Sequence, residues 1–76
     1  MNTEEFLANF LSNIEVTDTS MTLDTQLSDI PQWDSLALLA TLAMVDGEYG
    51  VQINGVELQA CASIGDIARI VALKLP

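Results

Sequence analysis

Few residues in this 76-residue chain could carry chemistry. Ser35 stands directly behind Asp34, where a run of leucines begins and a helix should start. A hydroxyl at that position has no local base to activate it, since the chain contains no histidine. Read from its neighbours alone, Ser35 is a plain helix-start serine. A second candidate lies further on. Counting from Asp46, oxygen-bearing residues Glu48, Asn54 and Glu57 fall at positions three, nine and twelve of a calcium-loop pattern, with Ile53 at eight. Val51 occupies position six, where the sharp turn needs glycine, and Gly50 offers no side-chain ligand at five. The lone cysteine, Cys61, excludes an internal disulfide and a multi-cysteine metal site. Its reactivity would need cations nearby, and the chain has two, Arg69 and Lys74, both in the predicted last helix. An enzyme is the class least supported, and no catalytic or metal-ligating residue is assigned.

The elements that must position these residues are helical. Phe6, Leu7, Phe10, Leu11 and Ile14 share one face of a first helix expected from about Thr3 to Ile14, with Asn2 or Thr3 as its cap. A long Thr-, Ser- and Asp-rich connection follows, from Glu15 to Asp34, and such length in a small domain is often functional. Met21, Leu23, Leu27 and Ile30 should pin it to the helices, and Trp33 should anchor its end. The second helix is expected to begin near Asp34 or Ser35, with Asp34 as N-cap, and to end between Glu48 and Gly50. It has one apolar stripe of Leu38, Leu42, Val45 and Tyr49. A second stripe of Leu36, Ala40, Ala43, Met44 and Gly47 is expected to face outward. An Asn54-Gly55 turn, a brief helix over about Val56 to Ala60, and a last helix opened by a Ser63–Asp66 capping pair complete the chain. Ile64, Ile67, Ala68, Val71 and Leu75 form the inward face of that last helix. The expected fold is an all-α small four-helix bundle: three longer helices, a short third helix and a long first loop, in one domain over residues 1–76.

Composition narrows the function further. Eleven acidic residues against two basic ones give a net charge of −9, while half of the residues are hydrophobic. That apolar content opposes disorder. The charge excludes a nucleic-acid partner, which needs a basic face, and disfavours anionic membrane surfaces. The longest strongly apolar stretch, Leu36 to Val45, is too short for a membrane span, and the N-terminus is acidic where a signal peptide is basic. A cytoplasmic monomer is expected.

Trp33-Asp34-Ser35-Leu36 at a helix entrance, Glu48-Tyr49-Gly50-Val51-Gln52-Ile53 at a helix end and Ser63-Ile64-Gly65-Asp66-Ile67 at a helix start come in order along nearly the whole chain. Together they resemble the acyl carrier protein family. The resemblance implies that a phosphopantetheinyl transferase moves 4′-phosphopantetheine from coenzyme A onto Ser35. The arm's thiol then holds an acyl or aminoacyl group as a thioester, and the carrier catalyses nothing. At a helix N-terminus the phosphodiester would meet unpaired N–H groups and the positive end of the dipole. The same resemblance gives Asp34 a role in transferase recognition besides capping, and makes Leu36 a partner contact. Further partners are an acyl- or aminoacyl-loading ligase and acyltransferase or synthase enzymes.

The sequence departs from the family at the second helix. Fatty-acid carriers bear several acids on its exposed face, at positions that here include Ala37, Ala40 and Gly47; Asp46 and Glu48 remain near the end. A more apolar docking face follows, formed by Leu36, Ala40, Ala43 and Met44, with weaker electrostatic steering. Partner recognition is therefore assigned to Asp34, Leu36, Ala40, Met44, Asp46 and Glu48. The loop acids Asp18, Asp24 and Asp29 offer a second approach. This pattern points to a dedicated carrier of a specialised lipid or polyketide pathway, or an aminoacyl carrier, rather than a housekeeping fatty-acid carrier. Two readings of other classes stand beside it: an EF-hand-like divalent-cation binder and an unmodified helical adaptor.

Overall fold

A computed structural model describes residues 1–75. It contains four α-helices: α1 (Thr3–Asn13), α2 (Ser35–Tyr49), α3 (Gly55–Gln59) and α4 (Ile64–Lys74), with a 3-10 turn at Leu27–Asp29 inside the long first loop. The chain is all-α, as its periodicity implies.

Helix α1 begins where Asn2 accepts hydrogen bonds from the amides of Glu4 and Glu5, at 2.9 and 3.1 Å. Its inward face carries Phe6 and Phe10, both fully buried. The two rings stack at 6.4 Å, and the series continues from Phe6 to Tyr49 at 5.7 Å and from Phe10 to Trp33 at 5.8 Å. One aromatic row thus ties α1 to both ends of α2. Val45, Val51, Leu58, Ile64, Ile67 and Val71 close the core around it. Ile14 caps the helix rather than extending it.

The exit from α1 is a Schellman arrangement. The Val16 amide bonds the Leu11 carbonyl at 2.8 Å and the Glu15 amide bonds the Ser12 carbonyl at 3.1 Å. Glu15 sits at φ 61, the left-handed region that costs a residue with a Cβ roughly 1–2 kcal/mol. Part of that cost is returned because glycine loses more chain entropy on folding. Glu15→Gly is therefore expected to raise stability by about 0.5–1 kcal/mol, read as a higher urea midpoint at unchanged m-value. An unchanged midpoint would mean that the Glu15 side chain makes up the difference through contacts of its own. The corresponding end of α2 already uses glycine: Gly50 lies at φ 66 and its amide bonds the Asp46 carbonyl at 3.0 Å.

The long loop is held by its apolar residues, as expected, with Leu27 and Ile30 buried and Met21, Leu23 and Trp33 packed against the core. It is also held by backbone. The Ile64 and Gly65 amides donate to the Thr25 and Leu23 carbonyls at 3.2 and 2.7 Å, and the Leu27 amide donates to the Ala62 carbonyl at 2.8 Å. Two otherwise unpaired amides of the first turn of α4 are thereby satisfied by the loop. Gly65 permits this approach, since a Cβ there would stand 3.0 Å from the Leu23 carbonyl oxygen.

Side chains complete the start of α4. Ser63 and Asp66 form a reciprocal capping box, and Asp66 accepts from the Ala62 and Ser63 amides at 2.9 and 3.2 Å. These amides, with Ala62 leading, hold the Asp66 carboxyl below its ordinary value of 3.8. A lowered folded-state value contributes stability above the ordinary value and loses it as pH falls through the folded value. Native protein should thus melt above Asp66→Asn at neutral pH, and the gap should narrow in acid below pH 3.8. A gap that persists unchanged into strong acid would show that the charge of Asp66 is not its source.

Asn54 and Gly55 form no free-standing turn. Asn54 is the N-cap of α3, accepting from the Glu57 amide at 2.8 Å while Glu57 accepts from the Asn54 amide at 3.3 Å. Glu57 also pairs with Lys74 at 2.9 Å. The residues at positions nine and twelve of the calcium-loop pattern are therefore committed to starting a helix.

Candidate functional site

The site is built by the end of the long loop and the start of α2. Trp33 rests on Phe10, which fixes the chain one residue before Asp34. Asp34 then turns the chain into the helix: its carboxylate accepts the Ala37 amide at 2.8 Å and its carbonyl accepts the Leu38 amide at 2.9 Å. Asp34 is thus the N-cap, and Ser35, the first residue of α2, is spared that task. Ser35 is exposed. The amides of Ser35 and Leu36 lie in the first turn, where no helical carbonyl precedes them, beside the positive end of a 15-residue helix.

Two grooves flank this point. One, of about 400 Å³, is lined by Trp33, Asp34, Ser35, Leu38, Leu39 and Gln59. The other, of about 310 Å³, lies toward the end of α1 and includes Asn13, Glu15, Gln32, Asp34, Leu36 and Ala40. The two leucines between them project outward, with Leu36 75% and Leu39 61% exposed.

The outward face of α2 differs from the expected stripe at Met44, which is buried at 9% exposure; Ala37, at a position where fatty-acid carriers expose an acid, is buried too. Helix α2 is apolar on nearly every side, so periodicity alone gives no inward direction. The packing decides it: Ala37, Thr41, Met44 and Val45 turn inward, and the Thr41 hydroxyl donates to the Ala37 carbonyl at 2.8 Å. The solvent side is Leu36, Leu39, Ala43, Asp46 and Gly47, with Ala40 half-buried at its edge and Glu48 also exposed. Leu39 was not among the sequence candidates; its spacing of three from Leu36 is the signal that places both on one face.

Cys61 lies away from this arrangement, half-buried after α3, with its thiol directed to the Glu57 carbonyl at 3.5 Å. Burial, then the Asp66 carboxylate, pushes its titration up and away from the reactive thiolate. Both cations are engaged at the α3–α4 end, Arg69 with Asp66 at 3.3 Å and Lys74 with Glu57.

Residues 4–71 match the family model described as the phosphopantetheine attachment site. The chain belongs to the family of phosphopantetheine-binding carrier domains. It is a carrier protein, not an enzyme, and the family's cofactor is phosphopantetheine. No curated protein matches it. Among solved structures, the carrier resembles the solution NMR structure of a holo acyl carrier protein from Geobacter metallireducens. The TM-score is 0.80 and the identity 27%, over 97% of this chain and 86% of the other. The four-helix, acyl-carrier-like fold is therefore shared along almost its whole length. No described helix of the carrier is long and apolar enough to cross a membrane.

The start of α2 has the donor set that such a group requires. A phosphodiester needs an accessible hydroxyl to be built on, hydrogen-bond donors beside it and a positive local field, and the first turn of α2 supplies all three. The bound group supplies a thiol that carries the acyl cargo.

Proposed function

We propose that Ser35 is the residue on which the arm is built, and that the protein presents acyl or aminoacyl groups from there to partner enzymes. The observation that carries this reading is the division of labour at the start of α2: Asp34 caps the helix, so the adjacent serine hydroxyl is exposed and uncommitted. The amides beside it favour the added phosphate by roughly 0.3–1 kcal/mol, which matters in a chain already at −9. Partners follow from the chemistry. A phosphopantetheinyl transferase installs the arm, a ligase loads acyl or aminoacyl cargo, and acyltransferases or synthases consume it.

A dedicated carrier of a specialised pathway fits better than a housekeeping fatty-acid carrier. The outward face of α2 carries no charge from Ser35 to Val45, and the loop acids Asp18, Asp24 and Asp29 are exposed instead. In this reading residues 1–76 act as one carrier domain, monomeric and cytoplasmic.

Incubation of the purified protein with coenzyme A and a broad-specificity transferase tests the assignment. One added phosphopantetheine, located by peptide mass on the fragment holding Ser35, is the expected result. Attachment at another serine, or none on a folded protein under conditions that load a known carrier, would reject it.

A further inference from the structure

We propose that Asn54 is a site of spontaneous modification, at which the side-chain amide is lost to give aspartate and isoaspartate, and that the capping box of α3 is the gate that restrains it. The inference is independent of the assignment of Ser35.

The reaction needs a side-chain amide followed by an unhindered backbone nitrogen. The Gly55 nitrogen gives its proton to hydroxide and attacks Asn54 Cγ. A new C–N bond forms, the bond from Cγ to the side-chain nitrogen breaks, and that nitrogen leaves as ammonia after taking a proton from water. The product is a five-membered imide. Water then opens the imide at either carbonyl. Breaking the new bond gives aspartate, and breaking the original peptide bond gives isoaspartate. Asn2, Asn9 and Asn13 precede Thr3, Phe10 and Ile14, whose side chains crowd the attacking nitrogen; Asn54 alone precedes glycine.

The fold does not need glycine at this position. Gly55 lies outside the left-handed region, and a Cβ built on it meets only the tip of Leu38, at 4.0 Å. Gly50 and Gly65, by contrast, serve a left-handed turn and a close backbone approach. The missing side chain at Gly55 therefore opens its nitrogen to attack and serves no contact. As the first residue of α3, Gly55 also has no helical carbonyl to bond its amide. Asn54 is exposed, so water reaches it.

The capping box opposes the reaction. Ring closure requires the Gly55 nitrogen to eclipse Asn54 Cβ about the Cα–C bond, and at the observed ψ of 167 the two are staggered. The Asn54 side chain accepts the Glu57 amide at 2.8 Å and its carbonyl accepts the Leu58 amide at 3.1 Å, so turning ψ breaks this pair of bonds. Glu57 is itself fixed: its carboxylate accepts the Asn54 amide at 3.3 Å and the Lys74 ammonium at 2.9 Å. Leu58 is fully buried. The imide thus forms only when the start of α3 opens, and its rate follows the population of that open form. The two products differ in consequence. Aspartate caps as well as asparagine and keeps α3. Isoaspartate adds a carbon to the main chain and loses the cap geometry. Helix α3 borders the groove beside Ser35 through Gln59, so the second product reshapes that groove.

The test holds the purified chain in warm, mildly alkaline buffer, either folded or in denaturing urea. Peptide masses follow amide loss at each asparagine, and chromatography separates aspartate from isoaspartate. Loss confined to Asn54 is expected in both conditions. It should be at least about tenfold slower in the folded chain, a factor that needs only about 1.4 kcal/mol of opening cost. Glu57→Ala removes one arm of the box together with the Lys74 tie, and should react about fivefold faster than native while folded by circular dichroism. Gly55→Ala crowds the nitrogen and should suppress the loss in urea by about tenfold or more. Equal rates in the folded and unfolded chain, or a folded Glu57→Ala protein that reacts like native, would overturn the gate. No loss at Asn54 in urea, or a loss undiminished by Gly55→Ala, would overturn the site itself.

Discussion

Ser35→Ala is expected to abolish phosphopantetheine attachment completely while leaving the protein folded. Loss of the oxygen removes the atom on which we propose the arm is built, and no neighbouring group replaces it. The next hydroxyl-bearing residue along α2, Thr41, is buried with its hydroxyl donated to the Ala37 carbonyl. The fold should not register the change. Helix initiation belongs to Asp34, whose carboxylate bonds the Ala37 amide at 2.8 Å, and alanine is the best helix former for the position that follows. Stability should stay within about 0.5 kcal/mol of native, as for other surface substitutions away from special features. Asp34→Ala reports the complementary quantity, since it removes the cap at a cost of about 1 kcal/mol but leaves the hydroxyl in place. Intact-mass measurement after incubation with transferase and coenzyme A, together with thermal melts, reads both effects. Residual attachment to the Ser35→Ala protein would move the site elsewhere.

The largest effect on stability is expected at Phe10→Ala. Phe10 is fully buried and lies between Phe6 and Trp33 in the aromatic row. Truncating a buried phenylalanine costs about 3–5 kcal/mol, from lost transfer energy and the cavity left behind. A domain of this length has a total stability of roughly 4–11 kcal/mol at 0.05–0.15 kcal/mol per residue. The substitution thus removes a large share of it, and each kilocalorie lowers the melting temperature by about 4–8 °C in so small a domain. The cavity opens under Trp33, so tryptophan fluorescence should shift toward that of an exposed indole before the helices melt. A loss below about 1 kcal/mol would mean that Trp33 and Phe6 collapse onto the space. Phe10→Leu retains most of the apolar volume and should recover much of the loss.

Much of this architecture is legible in the residues. The phenylalanine spacing of α1, the Asp34 cap, the glycine at the end of α2 and the Ser63–Asp66 box each place a boundary through local chemistry. The Asp34-Ser35-Leu36 entrance is legible for the same reason, because its cap and its exposed neighbours are neighbours in sequence. What escaped depends on contacts made from afar. Helix α2 is apolar on all sides, and only its packing against α1 and α3 shows that Met44 turns inward and Leu39 outward. Asn54-Gly55 carries a hairpin-turn signature, and Glu57 three residues later converts it into a helix start. The left-handed Glu15 and the backbone pairing of residues 23–27 with 62–65 leave no mark on composition, because main-chain groups are common to every residue.

That pairing bears on how the surface can change over generations. The middle of the long loop is held to the start of α4 by the carbonyls of Leu23 and Thr25 and the amide of Leu27, and these persist whatever side chains the positions carry. Exposed residues such as Asp24, Ser28 and Asp29 can therefore be exchanged without loosening that attachment. Gly65 is the fixed point, since any side chain there presses on the Leu23 carbonyl. The loop is in effect exchangeable cladding on an invariant mount: a lineage can rewrite its outer face while the backbone that holds it to α4 stays as it was.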